Sequence, residues 1–360
     1  MGGTTNIFLT GSTGYIGGTV LQRLLAHPER ESFNISVLVR NAEKAKLLEN
    51  FGVTTVVGSH SDLEKLEQAA ASADVVFAIA DCDDLKAATA ILSGLKKRHA
   101  ETGEQPILIH TSGTGVLADN AQGKYASDLV YSDLDIPLIE TLKPTQPHRW
   151  VDIAIVEAGK QGYARTHIVL PGVIFGLGHG PLFETGICNQ HSMELPTILQ
   201  IGWHRGRAGI IGEGRNIWPL SHIDDTADLY IVLFDAARKR KDVACGREGF
   251  YFVENGHFSV YEATKAVGHV LVELGRAKTA EPTPFTPEEL DKYFAGVQVL
   301  FMGTNSVCKA ERSRALGWRP TKTKQDMLES IRPEADALIK NGRIEDAFHI
   351  RGLLAQYVDL

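Results

Sequence analysis

Short apolar runs separated by polar, turn-forming residues recur along the first half of the chain. Ile7-Phe8-Leu9, Ile35-Ser36-Val37-Leu38-Val39, Val56-Val57, Asp74-Val75-Val76-Phe77-Ala78-Ile79-Ala80 and Ile107-Leu108-Ile109 have the length and apolar content of buried strands. Between them, apolar residues fall at helical spacing, as in Val20, Leu21, Leu24 and Leu25, where one face of a helix would meet a core. This alternation predicts an α/β fold, a doubly wound parallel sheet, over residues 1–178. Gly176-Leu177-Gly178-His179-Gly180-Pro181 breaks the pattern and marks the crossing into a smaller lobe. That C-terminal lobe is expected to use 181–217 and 255–360, while 218–254 return to the first domain with a helix after Asp224 and the strand Gly249-Phe250-Tyr251-Phe252-Val253. Thr286-Pro287-Glu288-Glu289 reads as a helix start.

The first strand leads directly into Thr10-Gly11-Ser12-Thr13-Gly14-Tyr15-Ile16-Gly17-Gly18. A strand, a glycine turn and a helix in this order suit a dinucleotide. Gly11 permits the tight turn, Gly14 admits a pyrophosphate close to the backbone, and Gly17 brings the helix onto the sheet, with phosphate at the helix N-terminus. Ser12, Thr13, Tyr15 and Ile16 are carried to the cofactor by the same turn. The second strand ends in Arg40, where an acidic residue would select NAD through its ribose hydroxyl. A guanidinium there points to NADP, with Lys44 as its helper.

The G-x-x-G-x-x-G spacing, joined by four further segments in the same order, resembles the extended and atypical short-chain dehydrogenase/reductase superfamily across most of the chain. The resemblance implies a Rossmann-type domain and assigns roles to particular positions. Ser59, followed by His60, stands where an acidic residue usually meets adenine. Ala80 ends a strand that passes over the cofactor and leads into Asp81-Cys82-Asp83-Asp84, whose carboxylates either line an active-site mouth, Asp81 foremost, or cap a helix. In Ile107-Leu108-Ile109-His110-Thr111-Ser112-Gly113-Thr114, Ser112 matches the catalytic hydroxyl and Thr114 is second. Pro171 and Val173 lie in the turn beside the nicotinamide. His222-Ile223-Asp224-Asp225 and Leu316-Gly317-Trp318-Arg319-Pro320 match two further family segments, the latter structural.

The Y-x-x-x-K pair that performs the family's proton chemistry is absent from its expected place: the one tyrosine followed four residues on by lysine, Tyr261 before Lys265, falls beyond residue 255, in the second lobe. The helix that should carry it is His148 to Gly159; anchored at Glu157, its register puts Arg149 and Ile153 in the two positions. His148, one residue earlier, and Tyr125 and Tyr131, after Ser112, are the substitute proton donors. Trp218 replaces the arginine that grips the diphosphate of a nucleotide sugar, which favours an apolar substrate lined by this ring.

At 360 residues and 43% hydrophobic the chain is long enough for one large domain and a lobe, and its net charge of −7 disfavours nucleic acid as a partner. Cys82, Cys188, Cys245 and Cys308 have no close pairing and read as reduced thiols, and His179, His191 and His204 lack metal-ligand spacing, so no metal is expected. There is no signal-peptide pattern and no apolar run long enough to span a bilayer, so the expected location is the cytoplasm, without membrane contact; a homodimer is the expected assembly. Three functions fit: an NADP-dependent oxidoreductase with a non-standard proton donor acting on a small apolar carbonyl compound, a non-catalytic sensor of NADP(H) resembling NmrA-like proteins, and a nucleotide-sugar epimerase or dehydratase.

Overall fold

The computed structural model describes residues 4–239, 242–294 and 300–348. Seven strands form one wholly parallel sheet: β1 (Thr5–Thr10), β2 (Phe33–Val39), β3 (Thr54–Val57), β4 (Val75–Ala78), β5 (Ile107–Thr111), β7 (Arg165–Pro171) and β11 (Phe250–Val253). Their spatial order is β11-β7-β5-β4-β1-β2-β3. The chain therefore builds outward from β1 to β3 and then returns to the other side of β1. This reversal between β1 and β4 opens a crevice at the carboxyl ends of the strands, where doubly wound sheets bind ligands. The strands are apolar on both faces because both are covered: Phe8, Leu9, Val76, Phe77, Leu108 and Ile109 are fully buried.

The covering helices are α1 (Tyr15–Leu25), α2 (Ala42–Glu49), α3 (Leu63–Ala71), α4 (Leu85–Thr102), α5 (Ile136–Glu140), α6 (Arg149–Lys160) and, later in the chain, α9 (Ile223–Lys239). α1 packs on α9, while α3, α4 and α6 pack in series. Gly94 makes the α3–α4 approach possible, since a Cβ there would lie 2.3 Å from the Glu67 carbonyl oxygen. The second lobe has its own core around Leu199, Phe258, Leu271, Phe294, Met302 and Ile331. It is built from α8 (Glu194–Arg205), α10 (Val260–Glu273), α11 (Pro287–Phe294), α12 (Leu300–Gly303) and α14 (Lys324–Lys340), while α7 (Pro181–Glu184) and α13 (Glu311–Leu316) pack against the first core. As expected, Pro287 opens α11.

Only part of the 218–254 stretch joins the main sheet. α9 and β11 do, but β10 (Ile217–His222) lies in a separate three-stranded sheet between β8 (Val173–Phe175) and β12 (His257–Ser259). The reason is the break after Pro171. At Gly172 a Cβ would meet the Pro219 carbonyl oxygen at 2.5 Å, so the bare backbone lets the chain leave β7 and pair with β10. Two-residue pairs join β6 (Tyr131–Ser132) to β14 (Cys308–Lys309), and β9 (Gly209–Ile210) to β13 (Thr283–Pro284). Among the described residues no helix is long and apolar enough to cross a membrane.

Candidate active site

The glycine turn at the end of β1 has the geometry its spacing implies. Gly11 adopts φ +79°, and a Cβ on it would sit 2.9 Å from the Ala80 nitrogen, which ties the turn to the end of β4. The Gly14 N–H donates to the Gly11 carbonyl at 2.8 Å. At Gly17 a Cβ would lie 2.2 Å from that same carbonyl, so this glycine is required by the turn itself. At Gly14 only this oxygen, 3.1 Å away, would be near, so its other side faces open space. α1 begins without a side-chain cap and without an acidic residue in its first turn. Its N-terminal N–H groups and positive dipole end are thus available to an anion.

Several residues of this turn serve the protein rather than a ligand. The Tyr15 side chain is buried and donates its hydroxyl hydrogen to the Gly176 carbonyl, latching α1 to the second lobe; burial, then the nearby Glu334 and Glu194, raises its pKa. Its side chain is therefore not a cofactor contact, contrary to expectation; only its backbone belongs to the turn. Ile16 is half-buried against the core. The Ser12 hydroxyl leans on the Leu38 carbonyl at 3.5 Å, while the Ser12 carbonyl accepts from Cys188 Sγ at 3.3 Å. Thr13 accepts from the Asn189 N–H at 3.0 Å, and Lys44 Nζ donates to the Ile187 carbonyl at 2.6 Å. The 187–189 segment thus braces the turn, a role with no signature in the sequence.

Arg40, at the end of β2, is exposed and has no hydrogen bond or ion pair among the described residues. Asn41 caps α2, accepting from the Glu43 and Lys44 N–H groups at 2.9 and 3.0 Å, which aligns Arg40 just before a helix. Ser59 departs from expectation: its hydroxyl donates to Asp62 Oδ2 at 3.0 Å and its N–H does so at 2.7 Å. These bonds hold the Asp62 carboxyl below its usual range and engage the hydroxyl that was to meet adenine. His60 lies 3.8 Å from Asp84, and both its ring nitrogens are buried without a hydrogen-bond partner. Burial pushes its pKa down. Asp84 accepts from the Ala87 N–H at 3.0 Å and caps the start of α4, while Asp81 accepts from the Asp83 N–H at 3.0 Å and closes the turn before it.

The carboxyl end of β5 faces the first turns of α6. Ser112 and Thr114 are buried, and neither hydroxyl has a partner. Opposite them Asp152 is fully buried with both carboxyl oxygens unpaired. Burial raises its pKa to about 6, although the His148 ring and the neighbouring Ser112 hydroxyl pull it down. His110, also buried and unpaired, is pushed down to about 4 by burial and by His148. The helix register places His148 and Asp152, rather than Arg149 and Ile153, at the i, i+4 positions turned toward β5. Ile153 is 41% exposed, so its position cannot reach Ser112. Arg149 is buried, with Nε and Nη1 unpaired.

His148 adopts a left-handed φ of 65°, rare for a residue with a side chain and found where surroundings over-determine the backbone. Asp83 supplies much of that constraint. Its carboxylate accepts from the His148 backbone N–H at 3.1 Å and lies 2.9 Å from Nδ1, and its carbonyl accepts from the Trp150 indole at 3.0 Å. Cys82 Sγ lies 3.2 Å from the same Nδ1. Burial alone would lower the His148 pKa, but the Cys82 sulfur and the Asp83 carboxylate more than offset it and hold it well above its ordinary value. The other ring edge rests on the glycine loop after β5, where a Cβ at Gly113 or Gly115 would come within 3.2 or 3.1 Å of Nε2.

Two other expected site residues lie elsewhere. Tyr125 is half-exposed and, among the described residues, makes no hydrogen bond or ring contact to this cluster; there only its carbonyl is engaged, by Asn305. Trp218 is 5% exposed, donates its indole hydrogen to the Thr304 carbonyl at 2.6 Å and packs edge-on against Phe301. It is a core residue of the second lobe, not a substrate contact, because β10 turns it into that core. Pro171 closes β7 and Val173 opens β8, both buried at the same carboxyl edge. Asp152, Cys82 and the Gly113/Gly115 pair were missed; only the T-S-G-T-G run hinted at the last.

Residues 3–97 match the model of the NmrA-like family. Across 88% of this chain and 93% of its relative, the sequence is 30% identical to oxidase ucsJ of Acremonium sp. Among solved structures, dTDP-glucose 4,6-dehydratase from Bacillus anthracis, in complex with NAD, superposes with a TM-score of 0.64 at 15% identity, covering 96% of this chain and 100% of that one. Vestitone reductase from alfalfa superposes with a TM-score of 0.59 at 15% identity, covering 94% and 100%. The two solved structures share the fold, and together with the glycine turn and the relative matched almost end to end they lead to one statement: the chain belongs to the extended and atypical short-chain dehydrogenase/reductase superfamily, a nucleotide-binding Rossmann family of oxidoreductases.

Proposed function

We propose that the protein is an NADP(H)-dependent oxidoreductase acting on a small carbonyl compound that carries no diphosphate. One observation carries this reading: the Ser112 and Thr114 hydroxyls and the Asp152 carboxyl are buried and unpaired on the edge of the sheet that also bears the glycine turn. Native folds leave few buried polar groups without partners, and those that remain unpaired concentrate where function needs them. The unpaired Arg40 favours the 2′-phosphate form of the cofactor, because an exposed guanidinium can clamp phosphate in a bidentate fashion. The vestitone reductase fold and the ucsJ name agree with redox chemistry.

When bound, the dihydronicotinamide supplies a hydride to the carbonyl carbon. Ser112 would hold the carbonyl oxygen, and His148, one residue before the position that the family resemblance assigns to tyrosine, would serve as the proton donor in its place. Asp152 lies one helical turn further on, on the same face of α6. The burial of Trp218 leaves no cation at the position where a nucleotide-sugar diphosphate would be gripped, which disfavours an epimerase or dehydratase.

A second reading, a cofactor sensor without turnover, is favoured by the enclosure of Ser112 Oγ and of both Asp152 oxygens. NADPH oxidation against a panel of aldehydes, ketones and enones separates the two. Turnover that falls by roughly 10²–10⁴ in Ser112→Ala, with unchanged NADPH affinity, supports the oxidoreductase. A silent panel, together with NADPH-dependent protection from protease, overturns it in favour of the sensor.

A further inference from the structure

Three unlike metal-ligating groups converge at the mouth of this site. Cys82 and Asp83 come from the loop between β4 and α4, and His148 from the head of α6. Their ligand atoms all lie within 4.8 Å of one another. Cys82 Sγ is 3.2 Å from His148 Nδ1 and 3.7 Å from Asp83 Oδ2, and that same Oδ2 is 3.1 Å from Nδ1. A tetrahedral ion bound at ordinary zinc distances to sulfur, nitrogen and oxygen holds its ligands about 3.3–3.6 Å apart. The cluster is therefore within a few tenths of an ångström of that arrangement before any ion enters.

We propose that Cys82, Asp83 and His148 form a binding site for a thiophilic divalent cation of the zinc class. A thiolate and an imidazole select such an ion over magnesium or calcium, which prefer all-oxygen sites. Three protein ligands leave one coordination position to water or to a substrate oxygen, as in catalytic rather than structural zinc sites. The support around the ligands is already in place. Asp83 is fixed by the His148 N–H and the Trp150 indole is bonded to its carbonyl, while Gly113 and Gly115 back the His148 ring. On binding, the Cys82 thiol proton and the Nδ1 proton of His148 pass to solvent, metal–sulfur and metal–nitrogen bonds take their places, and no redox partner is required.

The binding site stands on ligand geometry alone. Its effect on chemistry rests on the oxidoreductase reading, since metal at Nδ1 would leave the hydrogen on Nε2 of His148.

The test uses tag-free, chelator-stripped full-length protein, titrated with Zn²⁺ by calorimetry and with Co²⁺ by absorption. One ion per chain, with a thiolate-to-cobalt charge-transfer band and tetrahedral visible bands, is expected. Losing a mere outer-shell partner costs metal sites 10–100-fold, so Cys82→Ser should weaken Zn²⁺ by about 100-fold or more and abolish the thiolate band. Cys245→Ser, at the other partly exposed thiol, should change neither. Absence of saturable binding, a cobalt spectrum without thiolate character, or a band that survives Cys82→Ser would overturn the proposal. NADPH oxidation against the carbonyl panel, assayed separately without metal, reports on the oxidoreductase reading instead.

Discussion

The Trp318 indole N–H donates to the backbone carbonyl of Asp225 at 2.7 Å, joining two motifs that lie 93 residues apart. The Asp225 carboxylate completes the joint by accepting from the Thr321 and Lys322 N–H groups at 3.1 and 2.9 Å. Asp225 is 5% exposed, so water cannot readily replace it. Asp225→Ala should cost about 2–4 kcal/mol through two backbone donors left without an acceptor. Urea unfolding measures this, and an unmoved midpoint would show that the motif is not a structural hinge.

Gly14 and Gly17 should separate ligand contact from turn geometry. Gly17→Ala forces a methyl against the Gly11 carbonyl, 2.2 Å away, and should destabilise the fold by roughly 1–3 kcal/mol as overpacking does. Gly14→Val has only a 3.1 Å contact to relieve, so the protein should stay folded while nucleotide affinity is lost. Circular dichroism with calorimetry distinguishes the outcomes; full NADPH affinity in folded Gly14→Val would remove the turn from the site.

Arg40 has no partner within the described protein to lose, so its replacement should act on the ligand alone. A charge-assisted contact is worth about 1.5–3 kcal/mol, and Arg40→Ala should weaken NADPH about tenfold or more while NADH changes little. Equal losses for both cofactors would contradict selection by the 2′-phosphate.

Burial, with Arg165 nearby, pushes the His167 pKa from 6.5 down to about 3. The unfolded chain therefore takes up a proton at this ring well before the folded one does. The stability held by neutral His167 is complete above pH 6.5 and drains away as pH falls toward 3, by about 1.4 kcal/mol per pH unit inside that window. Asp152 and Glu194, raised to about 6 and about 7 by burial, act in the opposite sense. The comparison is therefore between wild type and His167→Phe, whose stability should fall less steeply between about pH 6 and pH 4. Parallel curves would mean that His167 is protonated in the folded state.

The sequence by itself determined the elements and the glycine turn after the first strand. Apolar runs of strand length recur between helical periods, and Gly11, Gly14 and Gly17 mark a turn whose requirements are local, so neighbours in sequence were enough to read it. Arg40 was legible for the same reason: it follows a strand directly. The catalytic end depended on facts that spacing does not contain. A shift of one residue rotates a helix face by about 100°, and only packing shows that His148 and Asp152, not Arg149 and Ile153, look toward Ser112. Trp218 and Tyr15 carry the residue types of a binding site, yet the partners that bury them, Thr304 and Gly176, lie 86 and 161 residues away. The Ser59 hydroxyl is engaged three residues on, by Asp62, because a short side chain bonds the nearest acceptor first. Cys82, Asp83 and His148 meet only because β4 ends and α6 begins at the same edge of the sheet, a consequence of strand order rather than of any local pattern.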